Sequence, residues 1–179
     1  KRLFFALWPD DRQREQLRDA ISPLVKNIEG NAVYRASWHV TLVFVGDFPE
    51  QRVPALLASA GQIEVEPFRL RFDRAEFWPR QKIAVLGTQI VPPELQRLAD
   101  SLHDLIRAHG VDTRDTVYRP HITIARRARN FEPQRLAQPL WIRGEAPQLP
   151  GDGQDRGDRS AQIVRHLGGA LGAAGDLLD

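Results

Sequence analysis

The stretches HVTLVFVG, residues 39–46, and RPHITIAR, residues 119–126, decide the fold class. Each contains a histidine, an apolar residue and a threonine in succession, followed by the apolar residues of a strand with a buried face. The two histidines, at positions 39 and 121, are 82 residues apart, and the apolar runs that open the two units, 3–8 and 82–90, are separated by a similar interval. An internal duplication is the simplest account of this spacing.

The first unit is predicted to be a strand, a helix and a second strand. Residues 3–8 are a short apolar run, and Asp10 and Asp11 suit the positive N-terminus of the helix that follows. Apolar residues then recur at helical spacing, and Pro23 is expected to kink this helix or split off its last turn. Residues 38–45 form the second predicted strand.

The second unit repeats this order. Residues 82–90 form an apolar strand, and the prolines at 92 and 93 begin a helix, since proline is tolerated in a first turn. Gly110 ends that helix, and residues 120–125 form the closing strand. Between the two units lie a predicted helix, residues 53–60, and a predicted strand, residues 68–72.

The domain is predicted to cover residues 1–140, with repeat units at about 2–46 and 82–127. Residues 141–179 are an atypical tail rich in Gly, Asp, Arg and Ala, which contains too little apolar surface to offset the entropy of ordering it. We expect this tail to be disordered, with at most a poorly packed helix around 161–167. Its abrupt change of composition also resembles a frameshifted or truncated reading frame.

The composition excludes several classes of protein. Hydrophobic residues make up 42% and charged residues 27%, as in an ordinary globular domain, and no apolar run approaches the roughly 20 residues of a membrane span. The opening apolar run is also too short for a signal peptide. Cysteine is absent, which excludes disulfides, thiolate metal sites and a cysteine nucleophile and fits a cytoplasmic protein. A net charge of +2 identifies no partner.

The two motifs place an imidazole and a hydroxyl on the same side of each strand. Residues i and i+2 of a strand lie on one face, about 6.6 Å apart. His39 therefore accompanies Thr41, and His121 accompanies Thr123. The opposite face of the first strand is apolar and is expected to enter the core. It comprises Val40, Leu42 and Phe44.

This set of groups suits the cleavage of a phosphodiester without a metal. Histidine has an ordinary pKa near 6.5, so one imidazole can deprotonate a water while the other protonates the leaving oxygen. The threonine hydroxyls can donate to the nonbridging phosphate oxygens, where negative charge concentrates. Three arginines near the second motif, Arg119, Arg126 and Arg127, could add cationic phosphate contacts.

The two motif segments resemble the paired signatures of the two-histidine phosphoesterases. The opening RLFFAL, residues 2–7, and the following Pro9 resemble the RNA 2′,3′-cyclic phosphodiesterase branch, also called 2′-5′ RNA ligases. The resemblance covers roughly residues 2–130. It implies a bilobal, pseudo-twofold α+β fold with two antiparallel sheets flanking a central cleft and helices outside. It also implies hydrolysis of 2′,3′-cyclic phosphate ends of RNA to 2′-phosphomonoesters, with reversible 2′-5′ ligation as a side activity.

The resemblance also implies a role for each site residue. His39 is the proton donor to the departing 3′ oxygen, His121 is the base that activates water, and Thr41 and Thr123 hold the phosphate. Arg126 matches a phosphate-contacting arginine, although strict alternation would turn it away from His121, so the strand must bend or end by residue 125. The implied partners are RNA or nucleotides with cyclic phosphate ends. We expect a monomer that uses no metal and no cofactor.

Two other functions are compatible with the sequence. A binding module could keep the fold and hold RNA ends without turnover, although binding alone needs no acid–base pair. An enzyme of the same superfamily could act on another substrate, such as ADP-ribose 1″,2″-cyclic phosphate or a 2′-5′ oligoadenylate. An aromatic side chain could stack on a base, although a place in the core is favoured for each of Phe44, Phe48 and Trp78.

Overall fold

The protein has an α+β fold in which every pair of strands is antiparallel. The structure, a computed structural model, describes residues 2–112 and 117–144. Both predicted strand–helix–strand units are present, as is the predicted helix between them. The elements are β1 (Arg2–Leu7), α1 (Asp11–Val25), β2 (Asn31–Ala32), β3 (Val40–Asp47), α2 (Val53–Ala60), β4 (Phe68–Trp78), β5 (Ile83–Gly87), α3 (Pro93–Ala108), β6 (His121–Arg126) and β7 (Gln134–Gly144).

Helix α1 begins with a capping box. The Asp10 carboxylate accepts a hydrogen bond from the backbone N–H of Gln13 at 2.7 Å, and the Gln13 side chain accepts from the Asp10 N–H at 2.9 Å. These two bonds satisfy backbone donors that a helix start leaves without partners. The helix continues through Pro23 and ends two residues later, at Val25, so the predicted separation of its last turn does not occur.

Strands β3 and β6, which carry the two motifs, are neighbours in the middle of the sheet. The strand order is β1-β3-β6-β5-β4-β7, and the short β2 pairs with the end of β6. A single residue pair, Val40 with Ile122, joins β3 to β6. The seven described strands therefore belong to one sheet, in which the groups β1-β3 and β6-β5-β4-β7 meet at that single residue pair.

The helices connect these two groups of strands. Helix α1 lies between β1 and β3 in the chain but packs against β6 and β7, while α3 packs against β3 and β4. The apolar stripe of α1 supplies Leu17 and Ile21 to the core, and α3 supplies a longer stripe from Leu95 to Ile106. Burial of these side chains against strands from both ends of the sheet holds the two motif strands in a fixed relation.

Each motif strand contains a bulge directly after its threonine. In β3, Thr41 and Val43 face consecutive residues of β1, which leaves Leu42 as the extra residue. In β6, Thr123 and Ala125 face consecutive residues of β5, which leaves Ile124 as the extra residue. The two bulges are 82 positions apart, the same interval that separates the histidines. A bulge at the same position in both motif strands supports an internal duplication of the chain, which stays a prediction.

The bulge in β3 overturns one prediction about the core. Strict alternation placed Phe44 on the buried face with Val40 and Leu42. Instead, Leu42 and Val43 are both buried and Phe44 is 69% exposed. A bulge inserts one residue into the strand, so the alternation of faces shifts by one after it.

Strand β7 extends past the predicted domain boundary at residue 140. It ends at Gly144 and pairs along the length of β4, from Phe68 opposite Gly144 to Ala75 opposite Gln134. The rest of the predicted tail, 145–179, lies outside the described residues, as does the helix expected around 161–167. Within residues 2–112 and 117–144, no helix is long and apolar enough to cross a membrane.

Candidate active site

The register of the two central strands brings the four motif side chains together. His39 directly precedes β3, and His121 is the first residue of β6. Their neighbours Val40 and Ile122 form the pair that joins the strands, and both are fully buried. In an antiparallel pair, continuing this register places each histidine opposite the threonine of the other motif, at about 4.5–5.5 Å between Cα atoms. The facing pairs are therefore His39 with Thr123 and Thr41 with His121.

Both imidazoles are held in the same tautomer by the backbone. The Nδ1 atom of His39 lies 2.7 Å from the carbonyl oxygen of Ser37, and the Nδ1 atom of His121 lies 2.7 Å from that of Arg119. A carbonyl oxygen only accepts hydrogen bonds, so Nδ1 carries the proton in each ring. The Nε2 atom is then the nitrogen left in each ring to take up or release a proton.

Aromatic rings surround both histidines. The ring centroid of His39 lies 5.0 Å from that of Phe4 and 4.9 Å from that of Trp8. The ring centroid of His121 lies 4.4 Å from that of Trp78. These contacts fix the planes of the imidazoles and partly remove them from water, so each ring is held on a rigid support.

The pKa of each histidine is lowered from its ordinary value of 6.5, chiefly because burial penalises the charged ring. The hydrogen bonds to the backbone carbonyls act in the opposite direction. The positive charge of Arg126 lowers the pKa of both rings, and His121 itself lowers the pKa of His39. One guanidinium therefore acts on both imidazoles, which are close enough to influence each other.

The bulge in β6 accounts for the position of Arg126. Strict alternation would turn this residue away from His121. The sequence therefore predicts that the strand bends or ends by residue 125 if Arg126 is to face the same side as His121. The strand neither ends there nor alternates strictly, because Ile124 is the extra residue of the bulge. Ala125 is consequently buried and Arg126 exposed. The bulge is the predicted bend, and it returns Arg126 to the face that carries the motif side chains.

The other two arginines near the second motif differ in their surroundings. The guanidinium of Arg119 lies over the ring of Trp78 at 4.5 Å and donates a hydrogen bond to the Glu76 carboxylate at 3.0 Å. Arg127 follows β6 with an exposed side chain and a φ of 53°. Neither contributes to the pKa of both histidines as Arg126 does.

A tyrosine bridges the two motif segments. The hydroxyl of Tyr118 donates to the carbonyl oxygen of Thr41 at 3.3 Å, which ties the segment before His121 to strand β3. Burial raises the pKa of the Tyr118 phenol far above its ordinary value, so the group stays a neutral donor. This contact adds a second connection beside the single backbone pair between β3 and β6.

The three aromatic residues considered for base stacking have three different environments. Phe48 is 3% exposed and belongs to the core, as predicted. Phe44 is exposed, so a core role for it is wrong. Trp78 lies partly buried against the ring of His121.

Sequence reasoning missed three side chains at this site. Phe4, Trp8 and Glu76 lie far from the motifs along the chain, and their proximity to the histidines depends on strand order. Arg74, Glu76 and Trp78 do alternate on one side of β4, but no local pattern relates that strand to His121. Among the residues that the structure describes, no cluster of three or more His, Asp or Glu side chains could hold a metal ion.

Two histidine-x-threonine motifs on adjacent central strands of this α+β fold are those of a two-histidine phosphoesterase. Residues 9–152 match the profile of the 2′-5′ RNA ligase superfamily. The chain is 31% identical over 128 residues to an RNA 2′,3′-cyclic phosphodiesterase of Escherichia coli strain K12, covering 72% of this chain and 73% of that protein. The chain therefore belongs to the 2′-5′ RNA ligase superfamily.

Further relatives and solved structures agree with this assignment. An RNA 2′,3′-cyclic phosphodiesterase of Archaeoglobus fulgidus is 27% identical over 132 residues, which covers 70% of this chain and 72% of that protein. The apo structure of E. coli LigT matches with a TM-score of 0.67 at 28% identity, covering 80% of this chain and 85% of that chain. E. coli LigT complexed with 3′-AMP matches with the same TM-score and identity, covering 80% and 84%.

Proposed function

We propose that this protein hydrolyses 2′,3′-cyclic phosphate ends of RNA to 2′-phosphomonoesters, with His39 as proton donor and His121 as proton acceptor. The observation that carries the proposal is the shared geometry of the two rings. Each donates its Nδ1 proton to a backbone carbonyl two residues earlier, at 2.7 Å, on strands joined directly beside the histidines. The names of the relatives support the choice of substrate.

The proposed reaction is an in-line displacement at phosphorus. Nε2 of neutral His121 takes a proton from a water molecule, whose oxygen forms a bond to phosphorus. The bond between phosphorus and the 3′ oxygen breaks, and protonated His39 delivers the Nε2 proton to that leaving oxygen. The phosphate stays on the 2′ oxygen, and the enzyme returns to its starting state by exchanging protons with solvent.

The remaining motif side chains are proposed to hold the phosphate. The hydroxyls of Thr41 and Thr123 donate to its nonbridging oxygens, and the guanidinium of Arg126 neutralises the charge that develops there. The influence of Arg126 on the pKa of both histidines supports a position close to this phosphate. These groups stabilise the transition state without a metal or a cofactor.

The same groups can support ligation. If the 5′-hydroxyl of a second RNA takes the place of water, the displacement forms a 2′-5′ phosphodiester and the reaction is reversible. The protein is proposed to act as a monomer on cyclic-ended RNA or nucleotides. The absence of cysteine supports a cytoplasmic location.

The experiment incubates the protein with a 2′,3′-cyclic nucleotide and with cyclic-ended RNA in excess EDTA and identifies the product by ³¹P NMR. We expect turnover in the presence of EDTA, with a 2′-phosphomonoester as the product. Loss of activity with the chelator, restored by a divalent metal, would contradict the metal-free mechanism. Binding of the RNA end without turnover would instead identify a binding module, and a 3′-phosphomonoester would reverse the leaving oxygen assigned to His39.

A further inference from the structure

The surroundings of His121 contain a carboxylate that no motif predicts. Glu76 lies on β4, two strands away from β6, and its side chain is only 23% exposed. One of its oxygens, Oε2, accepts two hydrogen bonds, from Nε1 of Trp78 at 2.9 Å and from Nη2 of Arg119 at 3.0 Å. A carboxylate oxygen with two donors is held firmly in place.

The two donors are also the two residues that hold His121. The ring of Trp78 lies against the imidazole at 4.4 Å between centroids, and the carbonyl oxygen of Arg119 accepts the Nδ1 proton at 2.7 Å. The Arg119 guanidinium also covers the Trp78 ring at 4.5 Å. Glu76, Trp78, His121 and Arg119 therefore form a closed ring of contacts, in which the carboxylate ties together both supports of the imidazole.

A glycine makes room for this arrangement. Gly87 pairs with His121 across β5 and β6. A Cβ atom at Gly87 would lie 2.8 Å from Oε1 of Glu76, closer than such contacts occur. The absence of a side chain at this position lets the carboxylate rest beside the histidine.

We propose that Glu76 is a positioning residue for His121, acting through Trp78 and Arg119. It fixes the plane and the Nδ1 hydrogen bond of the ring, so that Nε2 is aimed at the reacting water. Among the described residues no carboxylate acts on the pKa of His39, so the proposed positioning by a carboxylate applies to His121 alone. The inference rests on the proposed function for its kinetic consequence, and the contacts themselves do not depend on it.

The electrostatic surroundings agree with this assignment. Burial lowers the pKa of His121 most strongly, the Arg119 and Arg126 guanidiniums lower it further, and the Glu76 carboxylate raises it. The charged or titratable side chains that act on the pKa of His39 are Arg126 and His121, both of which lower it, while the hydrogen bond to the Ser37 carbonyl raises it. Removing the charge of Glu76 should therefore move the titration of His121 to lower pH and leave that of His39 nearly unchanged.

The test compares Glu76→Ala and Glu76→Gln with the wild type, using a 2′,3′-cyclic nucleotide and NMR titration of the histidine rings. We expect Glu76→Ala to lower kcat about tenfold with KM nearly unchanged, because a misplaced base slows only the chemical step. Glu76→Gln should lose less, since its amide oxygen can still accept the hydrogen bonds from Trp78 and Arg119. In both variants the pKa of His121 should fall.

Two further variants sharpen the result. Trp78→Phe keeps a ring against His121 but removes the N–H that binds Glu76, so it should also lower kcat and keeps the proposal testable if Glu76→Ala fails to fold. Glu66→Gln is the matched control, because Glu66 forms an exposed ion pair with Arg97 at 2.8 Å and contacts neither histidine. It should behave as wild type.

A wild-type kcat together with an unchanged His121 titration in both Glu76 variants would overturn the positioning role. The NMR arm separates this outcome from failure of the proposed function. If His121→Ala retained activity, the base assignment would be wrong, whereas a lowered pKa of His121 in Glu76→Gln would still establish the electrostatic influence of the carboxylate on the imidazole.

Discussion

The two histidines occupy the same scaffold and have different surroundings. Each follows a backbone carbonyl that accepts its Nδ1 proton, each lies against a tryptophan, and each strand has a bulge after the threonine. Against the His39 ring lie Phe4 and Trp8, and Nε1 of Trp8 is buried without a hydrogen-bond partner among the described residues. Around His121 the tryptophan donates to Glu76, which also binds Arg119.

The two motif strands also differ in the exposed residue that follows each bulge. Phe44 in β3 and Arg126 in β6 are 82 residues apart, as the histidines are, and both are exposed on the motif side of their strands. One lobe thus presents an aromatic ring where the other presents a cation. The two motif strands share the same bulged backbone, and the unequal side chains beside them support the proposed division into a proton donor and a proton acceptor.

The largest expected effect is the loss of either imidazole. His39→Ala and His121→Ala should each lower kcat for a cyclic nucleotide by about 10²- to 10⁴-fold, since each removes one proton transfer. The measurement is a steady-state assay in EDTA, with folding checked by circular dichroism. His103→Ala, on helix α3, is the matched control and should retain full activity. Wild-type rates in both motif variants would end the catalytic assignment.

The second-largest effect is expected at Arg126, and it is compared with Phe44, the equivalent position of β3. Arg126→Gln should lower kcat/KM by about 10²-fold, because it removes a charged donor from the phosphate. Phe44→Leu, at the equivalent position of β3, should leave kcat within about twofold because no proposed proton or phosphate contact depends on it. Arg129→Gln, at an exposed position three residues further along the chain, controls for the loss of a positive charge. Equal losses of kcat at residues 44 and 126 would contradict the division between the lobes.

The pH dependence should reflect the lowered pKa of both histidines. The free enzyme is active when His39 is protonated and His121 is neutral, so kcat/KM should follow a bell-shaped profile. Since both pKa values lie below 6.5, both limbs move to lower pH and the maximum should fall below pH 6.5. A maximum well above pH 7 would show that these imidazoles are not the titrating pair.

The smallest effect is expected for the stability of Phe44→Ala, which tests whether the bulge in β3 turns this side chain out of the core. Phe44→Ala should change the free energy of unfolding by less than about 0.5 kcal/mol, because the ring is largely exposed. Phe72→Ala should cost about 3–5 kcal/mol, because that ring is fully buried. Chemical denaturation measures both. A large loss for Phe44→Ala would return that ring to the core, where strict alternation placed it.

The local patterns of the sequence predicted the elements that position the motifs. Apolar spacing identified β1, α1, β3, α3 and β6 because each buries one continuous face. Strand β7 escaped prediction because it is an edge strand that contains Pro139 and has few buried residues. Proline is tolerated at an edge, where its missing N–H needs no partner, so Pro139 is compatible with this strand.

The parts of the site that could not be predicted depend on pairing between distant strands. The bulges at Leu42 and Ile124 arise from the register with β1 and β5. The sequence of one strand does not indicate which strand it pairs with or in which register. The same limitation explains why Phe44 was assigned to the wrong face. Glu76 reaches His121 only because β4, β5 and β6 are neighbours, an order that follows from the whole fold.

The most direct test follows the two imidazoles by NMR while inorganic phosphate is added to the wild-type protein. If both rings bind one phosphate, the resonances of His39 and His121 should shift together and yield the same dissociation constant, and Arg126→Gln should weaken both equally. Shifts confined to one ring, or two different dissociation constants, would contradict the convergence of the two histidines on a single phosphorus atom.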